Sequence, residues 1–164
     1  MKKLLFLCLF ALTFCFGYAQ SQKQQESNQA LVQRIDSLEH ELSYLKLSYD
    51  LYTLNSDMKM ATAEMNAKFL EIRTDVYHRN TGFEDFYQEY YETCERQKQA
   101  FHDLIEAKKE FFMLKVMSYP YSETELKTLK SSYKMIDAAY NAMEGSLKLL
   151  KASVNSYRKL VKLM

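Results

Sequence analysis

The sequence predicts an all-α protein: an antiparallel three-helix, coiled-coil-like bundle with a protruding N-terminal helical stalk, after a cleaved signal peptide. Three observations predict it. The 164-residue chain holds one proline and three glycines, so helix breakers are scarce. Apolar residues recur in alternating steps of three and four, as on the buried face of a coiled coil. Two capping signals then cut this pattern into long pieces joined by only a few residues.

The first element is an export signal spanning 1–19. Lys2 and Lys3 give a positive start, residues 4–16 are apolar apart from Thr13, and Gly17 and Ala19 are small where cleavage requires it. The apolar run falls short of the roughly 20 residues a membrane span needs. Lipidation at Cys15 is disfavoured because bulky Phe14 precedes it. Cleavage after Ala19 would send the chain to the periplasm or exterior of a bacterial cell. It would also leave Cys94 as the one cysteine, so no intramolecular disulfide could form.

Two helix starts are marked in the remainder. Thr81-Gly82-Phe83-Glu84 reads as a capping box, and Ser122-Glu123-Thr124-Glu125, directly after Tyr119-Pro120-Tyr121, reads as a second. Helices are therefore expected near 22–79, 83–118 and 122–163, joined by two tight hairpins. The third has the most regular seam: Leu126, Leu129, Tyr133, Ile136, Tyr140, Met143, Leu147, Leu150, Val154, Tyr157, Val161 and Met164. The second carries Phe83, Tyr87, Tyr90, Cys94, Phe101, Leu104 and Phe111, interrupted by Gln97 and Lys108.

The first helix carries two seams. Leu31, Ile35, Leu38, Leu42 and Leu45, continued by Tyr49 and Tyr52, form one; Tyr44, Leu47, Leu51, Leu54, Met58, Ala61, Met65 and Ile72 form the other. They are out of phase by two residues, about 200° around a helix. One partner cannot cover both. A second helix folding back from Phe83 reaches about residue 44, so 44–164 forms the bundle and 20–43 overhangs as a coiled-coil stalk of roughly 30 Å. A break at Asn55-Ser56-Asp57, with the first piece packing back as a fourth helix, lacks a capping box and is not favoured.

The overhang has the pattern of a zipper. With Ile35 and Leu42 at a, and Leu31, Leu38 and Leu45 at d, Asn28 also falls at a. Leucine at d, a β-branched residue and one Asn at a favour a parallel dimer. Arg34 faces Glu39, and Glu41 faces Lys46, across such an in-register homodimer. Exposed pairs of this kind are worth under about 1 kcal/mol each, enough to select register but not to drive association.

No motif carries a chemistry, and an enzyme is not expected. His40 and His102 fall on the outer face and His78 at a helix end, and no Glu-x-x-His pair or Cys-x-x-Cys-His run is present. No cofactor or metal is therefore expected. Met58 and Met65 share a seam and read as core rather than as soft-metal ligands. Cys94 reads as buried and inert. The acids of helix two (Glu84, Asp85, Glu89, Glu92, Glu95) avoid its seam and read as a solvated face.

Partners follow from what is left exposed. Acids and bases nearly balance, so a nucleic-acid partner is not expected. Lys148, Lys151, Arg158, Lys159 and Lys162 line one side of the last helix. Membrane-surface contact through them is not favoured, because the apolar face of that helix is taken by the bundle. Tyr119 and Tyr121, expected beside Tyr44, Tyr49 and Tyr52, form a tyrosine collar, read either as packing at the junction of bundle and stalk or, more sharply, as the candidate surface for an unknown envelope protein. The expected role is an adaptor, scaffold or holdase-like component; the alternative is a bundle holding a small apolar ligand or metal ion.

Overall fold

The computed structural model describes residues 24–114 and 121–164; the signal segment, Tyr119 and Pro120 lie outside them. Three helices follow in order, α1 (Lys2–His78), α2 (Glu84–Ser118) and α3 (Glu123–Leu163). All three are long, and they pack as a bundle. The chain divides into two compact units, Met1–Ser43 and Tyr44–Met164. In the first, the described residues 24–43 are helical and mostly exposed.

The second unit holds the core. From α1 come Leu47, Leu51, Leu54, Met58, Ala61, Met65 and Ile72; from α3 come Leu129, Ile136, Met143, Leu147, Leu150, Val154 and Tyr157. Both sets follow the expected three-four spacing, so Met58 and Met65 are packing residues with no accessible surface. Neighbours in sequence run antiparallel. Tyr87 of α2 meets Asp75 of α1 while Lys108 pairs with Asp50. Arg158 of α3 meets Glu84 while Lys98 meets Glu144.

On α2 the expected seam fails at Phe83, which is exposed, holds from Tyr87 to Phe101 and then drifts. Tyr87, Cys94 and Phe101 are buried, but Leu104 and Phe111 are exposed, and Ile105 is buried with Phe112 packed against the core. A straight helix turns 3.6 residues per turn, so a strict heptad slides by about 20° per repeat and the next position takes over. Lys108 is not a defect in this frame. It is half-buried, its ammonium pairs with Asp50, and its carbonyl accepts the Tyr133 hydroxyl at 2.8 Å.

The breaks differ in mechanism. Ser122 opens α3 with both limbs of the capping box: its Oγ accepts the Glu125 amide at 3.2 Å, and its own amide donates to Glu125 Oε2 at 2.8 Å. The box expected at Thr81 and Glu84 does not form. Phe83 caps α2, its carbonyl accepting the Tyr87 amide at 3.0 Å. Its amide donates to the Tyr157 hydroxyl at 3.1 Å, and the Glu84 carboxylate turns to Arg158 at 3.2 Å. Tertiary partners thus outcompete the local loop. α1 ends in a Schellman motif, with Asn80 donating to the Asp75 carbonyl and Arg79 to that of Val76. Arg79 holds the left-handed position, φ 58°, where glycine is usual.

α1 runs unbroken through Asn55-Ser56-Asp57. Asn55 is buried on the core side, and its Oδ1 has no protein hydrogen-bond partner among the described residues. A polar residue that could have marked a break is instead carried inside a packed helix.

Candidate self-association surface

The surface begins with what the chain leaves uncovered. In the first unit Leu31, Ile35, Leu38 and Leu42 are 54–68% exposed, and Asn28 beside them is exposed. In the second unit the same spacing continues through Leu45, Tyr49 and Tyr52, which are 61–71% exposed. Leucines isolated on a surface need no explanation, but a row at helical spacing is a candidate interaction face. Within each unit helix geometry places these side chains on one side of the helix, and in the second unit Leu47, Leu51 and Leu54 take another side into the core.

The tyrosine collar does not assemble as expected. Tyr121 is buried rather than displayed: its ring stacks at 6.2 Å on Phe112 and lies 6.4 Å from Tyr44, which is half-buried. Tyr133 joins them, 5.5 Å from Phe112, with its phenol pushed up to about 12, mainly by burial. These rings close the end of the core. Tyr49 and Tyr52 are exposed on α1, about 160° and 100° around the helix from the core-facing Leu51 at 100° per residue. Tyr119 lies outside the described residues.

The basic side of α3 is partly engaged. Lys151 sits 5.6 Å above the Tyr91 ring and Arg158 pairs with Glu84, whereas Lys148 is exposed and 3.9 Å from Glu144. The cations of Lys151 and Arg158 serve packing against α2.

Potentially reactive groups are placed as structural ones. Cys94 is buried, and burial raises its thiol above the ordinary range, a contact with Tyr90 offsetting part of this. Tyr90 is itself pushed up to about 12 by burial. His102 lies 5.9 Å from the Tyr140 ring, and His78 packs edge-on against Tyr77 at 5.1 Å. Among the described residues no group of three His, Cys, Asp or Glu is placed to hold a metal ion. Among them also, no helix is long and apolar enough to cross a membrane.

At the α1–α2 turn Tyr87 is buried and donates to the Asp75 carboxylate, which also accepts Asn80 Nδ2 at 2.9 Å. These two hydrogen bonds, Tyr87 first, hold the Asp75 carboxyl below its usual value. Burial, then the bond to Asp75, pushes the Tyr87 phenol far up. Tyr157 stands edge-on to Tyr87, 5.0 Å away. The cluster ties all three helices together at the α1–α2 turn.

One feature went unread in the sequence. The α1–α3 side carries open grooves floored by small residues of α3, among them Ala138, Ala142 and Ala152. Their three-four spacing was visible, but small residues weigh little against the adjacent leucine seam. No family model matches the chain, and no curated protein or solved structure shows significant similarity to it.

Proposed function

We propose that the chain is a non-enzymatic, exported helical protein that self-associates through the N-terminal part of α1 and serves as an adaptor, scaffold or holdase-like component of the cell envelope. The observation that carries this reading is the exposed row Leu31, Ile35, Leu38 and Leu42, none of them less than half exposed. Each such side chain gains about 1.5–3 kcal/mol on full burial, so four in a row offer a substantial drive to associate. Export rests on the sequence of residues 1–19 alone. The 20–43 segment acts as the associating stalk and 44–164 as the body presented to other macromolecules.

Light scattering on the purified chain and on its Leu38→Asp variant tests the reading. The unaltered chain should be dimeric at tens of micromolar, on the order of the concentrations at which marginal coiled coils pair. Leu38→Asp should be monomeric, because it would bury an uncompensated charge. A monomeric unaltered chain would overturn the proposal.

A further inference from the structure

We infer that the apolar row of one chain packs antiparallel into the groove between α1 and α3 of a second copy, so that each chain supplies a fourth helix to the other's bundle. The inference rests on the self-association reading and names the surface that the row binds. It replaces the parallel register expected from the heptads.

Length is the first argument. One groove, about 310 Å³, is formed by Lys59 and Thr62 of α1 with Met135, Ala138, Ala139 and Ala142 of α3. Another, about 420 Å³, is formed by Phe69, Arg73, Val76 and Tyr77 with Ala152, Ser153 and Ser156. Both lie on the same side of the pair. Along α3 they run from Met135 to Ser156, about 32 Å at the helical rise. The segment 24–45 of α1 spans the same number of residues, and so the same length.

Size is the second. Between the grooves stands Gly145, where an added Cβ would meet nothing within 4 Å. With Ala138, Ala142 and Ala152, it gives this part of α3 a series of holes, bordered by the half-exposed Met135 and Leu149. The row offers knobs: Leu31, Ile35, Leu38 and Leu42. Knobs entering holes are how helices pack at close range.

Charge and register agree. Both charged residues lining the two grooves are cations, Lys59 and Arg73. The docking segment, 24–45, carries Glu26, Asp36, Glu39 and Glu41 against Arg34. Beyond Tyr52 the row's spacing continues through Ser56, Lys59, Ala63 and Asn66, small or polar where the first half is large, and ends on Leu70. Setting Tyr49 opposite Tyr52 of a second, antiparallel copy brings Leu42 to Lys59, Leu38 to Ala63 and Leu31 to Leu70. Lys59 then meets the turn bearing Glu39 and Glu41, and Arg73 the turn bearing Glu26. An in-register parallel zipper would pair each leucine with itself and leave both grooves bare.

Oxidative crosslinking in a cysteine-free background tests this. Leu38→Cys and Ala142→Cys chains, mixed, should form a disulfide between the two variants, and Leu38→Cys alone should couple with itself at least about tenfold more slowly. In the otherwise unaltered chain Ala142→Glu, at an exposed position, should weaken dimerisation at least about tenfold at unchanged helicity. Rapid self-coupling of Leu38→Cys, with dimers indifferent to Ala142→Glu, would overturn the antiparallel arrangement while self-association stands. A chain carrying both Leu38→Cys and Ala142→Cys supplies the control. If its two thiols join within one monomer, the inference falls in favour of an intramolecular fourth helix. A monomer with no link at all would overturn both readings.

Discussion

Tyr87→Phe removes one oxygen from the cluster that ties the α1–α2 turn, and its consequence can be worked from the contacts. The ring stays, so no cavity forms and the edge-on contact with Tyr157 is kept. What is lost is a hydrogen bond from a buried phenol to the Asp75 carboxylate. Bonds to charged acceptors contribute about 1.5–3 kcal/mol. Asp75 is only half-buried and can turn to water, so about 1–2 kcal/mol is expected near pH 7, a melting shift of roughly 3–6 °C for a chain of this size. The pH dependence carries the sharper test. A carboxylate whose folded pKa is depressed contributes stability that is present above its unfolded value, about 3.9, and is lost as pH falls through the folded one. Because Tyr87 is the largest cause of that depression, the gap between Tyr87→Phe and the unaltered chain should narrow below about pH 4. At the other end, the phenol's raised pKa contributes stability present below about pH 10 and lost above it, and the variant should lack that alkaline loss. Urea unfolding at fixed chain concentration, from pH 3 to 11, measures all three. An effect under about 0.3 kcal/mol at pH 7, or one of constant size across that range, would refute the account of this cluster.

Much of the fold was legible because its signals are local or periodic. The seams of α3 and of the bundle part of α1 depend only on spacing, and Leu129, Ile136, Met143 and Leu150 are fully buried where that spacing put them. Ser122 caps α3 through a box whose two partners lie three residues apart. The cap of α2 was not legible, since its partners, Tyr157 and Arg158, lie over 70 residues away. Leu104 and Phe111 were misplaced because the drift of a straight helix accumulates with distance from the turn that sets its phase. Tyr121 was read as exposed because a proline-flanked hairpin is usually wet; a stack on Phe112 and a neighbour in Tyr44 were invisible in one dimension. The row from Leu31 to Tyr52 was legible as exposed, but the grooves on α1 and α3 proposed to receive it required the two helices side by side.

Arg79→Gly should stabilise the chain by about 0.5–1 kcal/mol in urea unfolding, because it relieves a side chain held in the left-handed region. An equal or lower stability would mean that the Schellman turn is not strained. Asn55→Leu should also stabilise, by about 1 kcal/mol or more, since it removes a buried carbonyl that has no hydrogen-bond partner among the described residues. Loss of stability there would show that Asn55 is satisfied in solution. The tyrosines give the last and most discriminating comparison, because the structure separates residues that the sequence grouped. Tyr121 is 7% exposed and wedged beside Phe112 and Tyr44, so Tyr121→Ser empties a ring-sized space at the end of the core. Truncating a buried aromatic costs about 3–5 kcal/mol, and the end of a bundle, which can collapse inward, belongs at the low end of that range. Dimerisation, measured below the melting transition, should be untouched. Tyr52 is 71% exposed and lies on the row. Tyr52→Ser should leave melting of the diluted monomer within about 0.5 kcal/mol of the unaltered chain, as surface substitutions usually do. In the dimer the same substitution uncovers apolar area at the centre of the contact, where truncation costs the most. Light scattering across a dilution series should therefore show weaker pairing for Tyr52→Ser alone. If Tyr121→Ser dissociates the dimer while its melting is unchanged, the ring belongs to the association surface and the packing account of this end of the core is wrong.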